Sequence, residues 1–148
     1  MSGPVLGTGI DLVENERMKA SLERWGRAFK NRVFLQREQQ YCDSKAFPHH
    51  HYAARFAVKE AVSKAFGTGI GPRINWRDME VVRHAETGAP SVRLSGKGAQ
   101  LARKHRADTI LISLSHTQHY AVASALILGE AVTVHGEPRR ACPGGEQD

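Results

Sequence analysis

Apolar and polar residues alternate along residues 5–13, and this period of two predicts a β-strand near the N-terminus. One face of this strand is aliphatic and the other is small or acidic: Leu6, Ile10 and Leu12 against Gly7, Gly9 and Asp11. Paired glycines beside an aspartate leave room for a ligand, or for another stretch of backbone, to approach closely. The strand is therefore a candidate position for a functional carboxylate.

Helical periodicity follows over residues 15–41, with breaks near Gly26 and Leu35. The clearest helix is predicted over residues 51–66, because that segment is rich in alanine and ends at Gly67, a typical residue after a helix C-terminus. The second half of the chain returns to strand patterns around one short helix. Strands are predicted at 79–83, 91–94, 109–114 and 120–128, and the helix at 98–105.

Length and composition fit one domain followed by a tail. With 148 residues, of which 41% are hydrophobic, the chain is long enough for a single core. We expect the domain to span residues 1–129, and residues 130–148, which lack periodicity, to form a flexible C-terminal tail. No apolar run reaches the roughly 18 residues of a membrane span. Neither a signal peptide nor a disulfide pattern is present, so a cytoplasmic protein with no membrane partner is expected.

The formal net charge is +6, and residues 17–37 alone account for it, with seven basic residues and one acidic residue. Such a segment is either a solvated helix face or a docking surface for an anionic partner. A nucleic acid is not the expected partner, because the few aromatic residues of the segment have the spacing of a helical core face. These residues are Trp25, Phe29 and Phe34.

Asp11 and Glu60 are the candidate chemical groups, because each is a carboxylate in an otherwise apolar element. Taken singly, Asp11 fits a cap of the following helix, and Glu60 fits an i, i+4 ion pair with Lys64. Taken together, two carboxylates and a lysine suit a magnesium ion bound to phosphate oxygens, with Lys64 neutralising charge on the transferred group. Backbone N–H groups of the glycine-rich loop at 67–72 offer a further, weaker indication of phosphate binding.

Several other kinds of site are excluded by the sequence. There is no P-loop motif, and Gly7-Thr8-Gly9 lacks the third glycine of a dinucleotide-binding motif. The run His49-His50-His51 fits the entry of a helix better than a metal site, since three consecutive side chains rarely converge on one ion. Ser115 and His116 point to opposite faces of a strand, which excludes a nucleophile pair.

Three motifs in order resemble the holo-(acyl-carrier-protein) synthases, the short bacterial type of 4'-phosphopantetheinyl transferase. They are G-T-G-I-D-L-V-E-N-E-R at 7–17, R-F-A-V-K-E-A-V-S-K-A-F-G-T-G at 55–69, and I-S-L-S-H-T-Q-H-Y-A-V-A-S-A at 112–125. The resemblance covers roughly residues 5–128, so the segment after Gly129 extends past the usual end of the family. It implies an α+β fold of the 4'-phosphopantetheinyl transferase type, in which a mainly antiparallel sheet packs against a long central helix.

The resemblance also implies roles for individual residues. The implied catalytic set is Asp11, Glu60 and Lys64: the two carboxylates match ligands of Mg2+, with Mn2+ as an alternative, and the lysine matches one that contacts the phosphates of the substrate coenzyme A. The implied coenzyme A contacts are Arg55, Lys64, Gly67, Thr68, Gly69, Ile70, His116 and Thr117, the last two, next to Ser115, coming from a neighbouring subunit. Arg17 matches a basic residue that meets an acidic acyl carrier protein, and Arg24 of the same segment is expected to join it. The implied assembly is a homotrimer with active sites at subunit interfaces.

The implied reaction is attack by a serine hydroxyl of apo-acyl carrier protein on the β-phosphate of coenzyme A. The 4'-phosphopantetheine arm moves to the serine and 3',5'-adenosine bisphosphate leaves, with catalysis mostly by positioning and charge neutralisation. A metal-bound water or a carboxylate is a candidate acceptor for the serine proton. The alternative function is a magnesium-dependent nucleotide hydrolase that uses the same two carboxylates. Release of the bisphosphate only in the presence of a carrier protein distinguishes the transferase from the hydrolase.

Overall fold

The computed structural model describes residues 3–131 of the protein. Within this range, four helices lie at Asn15–Val33 (α1), Gln36–Asp43 (α2), Pro48–Ala65 (α3) and Gly96–Lys104 (α4). Five strands lie at Val5–Glu14 (β1), Met79–Arg83 (β2), Pro90–Leu94 (β3), Ala107–His116 (β4) and Tyr120–Gly129 (β5). A short 3-10 turn at Trp76–Asp78 leads into β2.

All strand pairs in this range are antiparallel. One sheet has the order β1–β5–β4, and β2 and β3 form a separate hairpin. Because β5 lies in the middle, Asp11 of β1 pairs with Ala123 of β5, which pairs in turn with Leu114 of β4. These three residues share the sheet face that packs on α3. The α+β fold implied by the resemblance, an antiparallel sheet on a long central helix, is confirmed.

The two glycines of β1 bring α3 directly against the strand. A Cβ atom at Gly7 would overlap the carbonyl oxygen of Ala65, and one at Gly9 would overlap that of Ala61. Only glycine allows this separation, because every other residue has a Cβ. The glycines therefore make room for the backbone of α3, and the close contact places Asp11 beside the C-terminal half of that helix.

Small side chains fill the interface between α3 and the middle of the sheet. Ala61, Ala123 and Ala125 are buried and belong to one hydrophobic cluster that contains both elements. A second cluster joins α1, α2 and the N-terminal half of α3 around Phe34 and Tyr52, whose ring centroids lie 4.8 Å apart. The two clusters hold α3 on both sides, so that the helix carrying Glu60 is the centre of the core.

The predicted elements are confirmed, although their ends shift by a few residues. Helix α3 begins at Pro48 rather than at His51, because proline suits the first turn of a helix, and the three histidines lie at the helix entry as expected. The break near Gly26 is a kink inside α1, where φ is 54°. One prediction is wrong: Trp25 does not lie on the core face, since 56% of its surface is exposed beside that kink.

The outward face of the three-stranded sheet carries large aliphatic side chains that α3 does not cover. Ile10 and Leu12 of β1 and Leu111 of β4 are each more than half exposed. Contiguous apolar patches are uncommon on monomeric proteins and often mark interaction sites, so this face is a candidate contact surface.

Two expectations from the sequence concern membranes and the tail. Within residues 3–131, no helix combines the length and the apolarity that crossing a bilayer requires.

Most of the predicted tail, residues 132–148, lies outside the described part of the chain, so its flexibility stays a prediction. The first tail residue is described, and the carboxylate of Glu130 lies 3.4 Å from Arg106 Nε.

Candidate active site

A groove of about 700 Å³ brings the two candidate carboxylates together. Asp11 reaches it from β1, Glu60 reaches it from α3, and Arg17 joins them from α1. Much of the remaining lining is apolar, with Met18, Phe29, Phe56 and Tyr120 among its residues. The groove thus combines paired negative charge, one cation and an apolar wall, which suits a charged substrate that carries an organic arm.

Lys64 pairs with Asp11 and not with Glu60. Its Nζ donates to Asp11 Oδ1 at 3.0 Å and to the carbonyl oxygen of Ile10 at 3.1 Å. Among residues 3–131, the i, i+4 ion pair between Glu60 and Lys64 does not form. Helix capping by Asp11 is also excluded, because the residue before α1 is Glu14 and no side chain caps the helix. Nearly half of the Lys64 side chain is exposed, so its ammonium stays accessible to a phosphate.

Glu60 carries a carboxylate that no hydrogen bond or ion pair reaches within residues 3–131. Burial raises its pKa, the negative charge of Asp11 raises it further, and Lys64 offsets part of this rise. A partly buried carboxylate beside another one is unfavourable unless a cation compensates for both.

The two carboxylates fit a magnesium ion better than a metal held entirely by protein ligands. Within the described residues, no three His, Cys, Asp or Glu side chains form a group that could hold a metal. Mg2+ usually binds through one or two carboxylates and takes its other ligands from water and substrate phosphates. Asp11 and Glu60 match that requirement. A substrate phosphate would supply ligands that the protein does not, and the ion would in turn help to hold the phosphate.

The loop after α3 closes the C-terminal end of that helix. Gly67 and Gly69 have positive φ values of 81° and 65°, which glycine adopts without strain. The N–H of Gly67 donates to Lys64 O, and the N–H groups of Thr68 and Gly69 both donate to Ser63 O. These three groups satisfy the last carbonyls of α3, and binding of a phosphate by the loop stays a prediction. A contact between the loop, which ends at Ile70, and coenzyme A stays a prediction.

Arg55 is a buried guanidinium outside the lining of the groove. Only 4% of its surface is exposed, its Cζ lies 4.1 Å from the centre of the Tyr41 ring, and its Nε has no hydrogen-bond partner. Lys45 and Arg83 approach the same ring, at 4.6 and 5.9 Å. No acidic side chain of residues 3–131 forms an ion pair with Arg55, so this cationic cluster suits an anion such as a phosphate.

His116 and Thr117 line a second cavity, of about 770 Å³, and do not reach the carboxylate groove. His50 and His51 of α3 approach His116, with ring centroids 6.2 and 5.7 Å apart. The pKa of His51 falls to about 4, chiefly through burial and further through the charges of His116 and Arg55. Within one chain, the structure therefore keeps His116 and Thr117 apart from Asp11 and Glu60, and their service to a neighbouring subunit stays a prediction.

The two arginines expected to bind the carrier protein lie on one helix but differ in position. Arg17 lines the carboxylate groove, and Arg24 lies on the exposed surface of α1. The guanidinium of Arg24 stacks on the Trp25 ring, with its Cζ 4.7 Å from the ring centroid. The basic helix therefore extends from the groove to an exposed cationic and aromatic surface.

The apolar wall of the groove is the part of the site that the sequence did not reveal. Phe56 stacks on Trp76 with ring centroids 4.8 Å apart, and Phe29 and Tyr120 complete the wall. The spacing of Phe56 and Glu60 indicated that Phe56 belongs to the site, since the two residues lie in the same helical stripe. No local pattern indicated Tyr120, because only strand pairing brings it opposite Glu14.

Comparison with known proteins gives a consistent family. The model of the 4'-phosphopantetheinyl transferase superfamily matches residues 7–125. Holo-(acyl-carrier-protein) synthase from Koribacter versatilis is 44% identical over 123 residues, which cover 83% of this chain and 98% of the relative.

Solved structures agree with the sequence matches. The holo-(acyl-carrier-protein) synthase of Neisseria meningitidis has a TM-score of 0.78 at 25% identity and covers 84% of this chain and 98% of its own. The Helicobacter pylori synthase, solved in complex with coenzyme A, has a TM-score of 0.72 at 28% identity and covers 81% of this chain and 98% of its own. Because sequence and fold agree over most of its length, the chain belongs to the holo-(acyl-carrier-protein) synthase family within the 4'-phosphopantetheinyl transferase superfamily.

Proposed function

We propose that this chain transfers the 4'-phosphopantetheine arm of coenzyme A to a serine of apo-acyl carrier protein, with Asp11 and Glu60 holding Mg2+. The observation that carries the proposal is the groove lined by both carboxylates, which lie close enough for the charge of Asp11 to raise the pKa of Glu60. Family membership supports the reaction, and the relative solved with coenzyme A supports the substrate.

The two carboxylates of the groove and the cations Lys64 and Arg55 outside its lining divide the work of the transfer. Magnesium, when bound, neutralises charge on the diphosphate of the substrate and on the leaving group. Asp11 and Glu60 supply two of its ligands, and Lys64, which Asp11 holds at 3.0 Å, presents an ammonium to the phosphoryl group that moves. Arg55, whose Nε has no partner, binds a further phosphate of coenzyme A. Catalysis is then mainly positioning and charge neutralisation.

An acidic acyl carrier protein is the partner that fits helix α1. Residues 17–37, which run along α1 and into the start of α2, carry seven basic residues and one acidic residue, so opposite charge draws the two proteins together and raises the rate of encounter. Because Arg17 lines the carboxylate groove while Arg24 is exposed, a carrier bound along α1 presents its serine toward the groove. The exposed Trp25 adds an apolar contact of the kind found at binding hot spots.

We also propose that the chain forms a homotrimer with active sites at subunit interfaces. The outward sheet face with Ile10, Leu12 and Leu111 supports this, because a second copy removes these side chains from water. The position of His116 and Thr117 outside the groove of their own chain also supports it. Light scattering should give three times the chain mass of 16.3 kDa, and a fully active monomer would contradict shared sites.

The reaction is tested by release of 3',5'-adenosine bisphosphate from coenzyme A, with and without apo-acyl carrier protein. A transferase releases the bisphosphate only when the carrier is present and Mg2+ or Mn2+ is available. Release without the carrier protein would assign the groove to a nucleotide hydrolase instead. A cytoplasmic location, where coenzyme A and a carrier protein meet, belongs to the same proposal.

A further inference from the structure

Lys59 immediately precedes Glu60 on α3, yet it does not line the carboxylate groove. Its side chain is fully buried, and its Nζ donates to Glu38 Oε1 and to the carbonyl oxygen of Val33, both at 2.7 Å. The proposed transfer does not use this buried charge. A gain in stability is a poor explanation for it, because the cost of desolvating two charges offsets their attraction.

The partner carboxylate connects α3 to two other elements. Glu38 Oε1 also accepts a hydrogen bond from the N–H of Leu35, at 2.8 Å, where α2 begins. Glu38 Oε2 accepts one from the N–H of Val81 on β2, at 2.9 Å. Through Glu38 and Val33, Lys59 therefore fixes α3 to α2, to the end of α1 and to β2.

A different side of α3 is held by β1. The carbonyl oxygens of Ala61 and Ala65 lie against Gly9 and Gly7, where any larger residue would collide with the helix backbone. Glu60 lies between the two residues that make these contacts: Lys59, which pairs with Glu38, precedes it, and Ala61, which packs on Gly9, follows it. Together the two contacts define the rotation of α3 about its own axis.

Helix rotation is the movement to which the carboxylate of Glu60 is most sensitive. A helix side chain ends about 5–6 Å from the helix axis, so a turn of about 10° moves its end by about 1 Å. A displacement of about 1 Å at a reacting site can cost roughly a hundredfold in rate. Asp11, which lies on β1, does not follow such a rotation, so the separation of the two carboxylates changes.

We propose that Lys59 is a positioning residue for the metal site: with Glu38, it sets the rotation of α3 and thereby the place of the Glu60 carboxylate relative to Asp11. This inference rests on the proposed function, because it gives Lys59 a part in placing a ligand of the ion. Lys59 itself touches neither the substrate nor the ion and acts only through Glu60.

The test removes both buried charges together. Lys59→Met alone leaves Glu38 charged and unpaired in the core, which weakens the fold whatever the role of the pair. In Glu38→Gln/Lys59→Met no charge is left, and the glutamine oxygen still accepts one of the two backbone N–H bonds. Glu38→Gln alone is the second variant in case the double variant does not fold: it leaves the Lys59 ammonium without a carboxylate, but Lys59 keeps the carbonyl oxygen of Val33 and the glutamine oxygen as acceptors. Ile74→Ala, a cavity at a fully buried residue that lies before the β2–β3 hairpin, is the control with lowered stability.

Two kinds of measurement are made at a temperature where circular dichroism shows each variant to be folded. One is the Mg2+ concentration for half-maximal transfer, measured together with kcat. The other is the affinity for coenzyme A with and without Mg2+, by calorimetry, which needs no turnover. We expect the double variant to need about tenfold more Mg2+ and to lose about a hundredfold in kcat. Calorimetry should show a weaker effect of Mg2+ on coenzyme A binding, with metal-free affinity unchanged.

Glu38→Gln should shift the same quantities in the same direction by smaller factors, and Ile74→Ala should leave them at wild-type values. A wild-type Mg2+ requirement and kcat, in whichever charge variant folds, would overturn the positioning role. Equal losses in Ile74→Ala would overturn it too, since low stability alone would then explain them. A wild-type chain without Mg2+-dependent transfer would instead overturn the proposed function.

Discussion

Replacing Glu60 by glutamine separates a metal ligand from a structural carboxylate. The amide keeps the shape of the side chain but removes the charge that holds Mg2+. Without the ion, the diphosphate of coenzyme A loses its main charge neutraliser, at a cost of several kcal/mol in the transition state. We therefore expect kcat to fall about a thousandfold or more.

The same change should not weaken the metal-free fold. Within residues 3–131 the Glu60 carboxylate has no partner to lose, and burial and Asp11 both raise its pKa. A carboxyl whose pKa is higher in the folded chain costs stability when ionised at neutral pH; the cost shrinks as the pH falls below the folded pKa and is gone below the unfolded pKa. Because Glu60 is partly exposed, solvent screening keeps the gain in Glu60→Gln small. The melting temperature of the metal-free variant should therefore equal that of the wild type or lie slightly above it.

Two further variants complete the assay of transfer and thermal unfolding. Asp11→Asn should lose as much activity as Glu60→Gln without the gain in stability, because it also weakens the 3.0 Å ion pair with Lys64. Glu86→Gln, an exposed residue between β2 and β3, is the control with the same change of charge. Near-normal kcat in folded Glu60→Gln, at the Mg2+ concentration that saturates the wild type, would refute the metal role. A lower melting temperature with kcat retained would indicate a structural carboxylate.

The basic helix, the glycine contact and the histidines can each be tested by one substitution. Arg24→Glu should raise the KM for the carrier protein about tenfold and leave that for coenzyme A nearly unchanged, because Arg24 is exposed and lies outside the carboxylate groove. Equal weakening toward both substrates, or the same effect from exposed Arg103→Glu, would argue against docking on α1. Gly9→Ala should lower the free energy of unfolding by about 3 kcal/mol or more. Gly71→Ala is the control and should be neutral, because a Cβ atom at Gly71 meets open space. Similar melting temperatures of the two variants would contradict the close contact of α3 with β1. As the pH falls from about 6.5 to 4, His51 should lower the free energy of unfolding by about 1 kcal/mol after allowance for its exposure. The reason is that the histidine takes up a proton more readily in the unfolded chain than in the folded one. Denaturant titrations of His51→Gln should lack this loss, and an unchanged pH profile would exclude His51 as its source.

Local patterns predicted the elements that carry the chemistry. The alternation around Asp11 predicted β1, because successive side chains of a strand point to opposite faces and here one face is aliphatic and the other small or acidic. The alanine-rich segment specified α3, but its start at Pro48 was missed because three polar histidines show no apolar period. The family motifs lie on these same elements, which is why Asp11 and Glu60 could be chosen before the structure was known.

Contacts between distant segments were not predictable from local patterns. Spacing paired Lys64 with Glu60, but the structure pairs it with Asp11, 53 positions away, because the glycines of β1 draw the strand against α3. The pair of Lys59 and Glu38, 21 positions apart, gave no signal either, since a lysine is ordinarily expected at the surface. The exposure of Trp25 depends on the kink at the following glycine, which periodicity cannot show.

The central claim is the Mg2+-dependent transfer of a phosphopantetheine arm through Asp11 and Glu60. Mass spectrometry of an apo-acyl carrier protein, after incubation with this chain, coenzyme A and Mg2+, tests it most directly. We expect the carrier to gain about 340 Da, the mass of the arm. The gain should be absent when EDTA replaces the ion and nearly absent with folded Glu60→Gln. A carrier of unchanged mass after incubation with the folded wild-type chain, or an equal gain in EDTA, would contradict the claim.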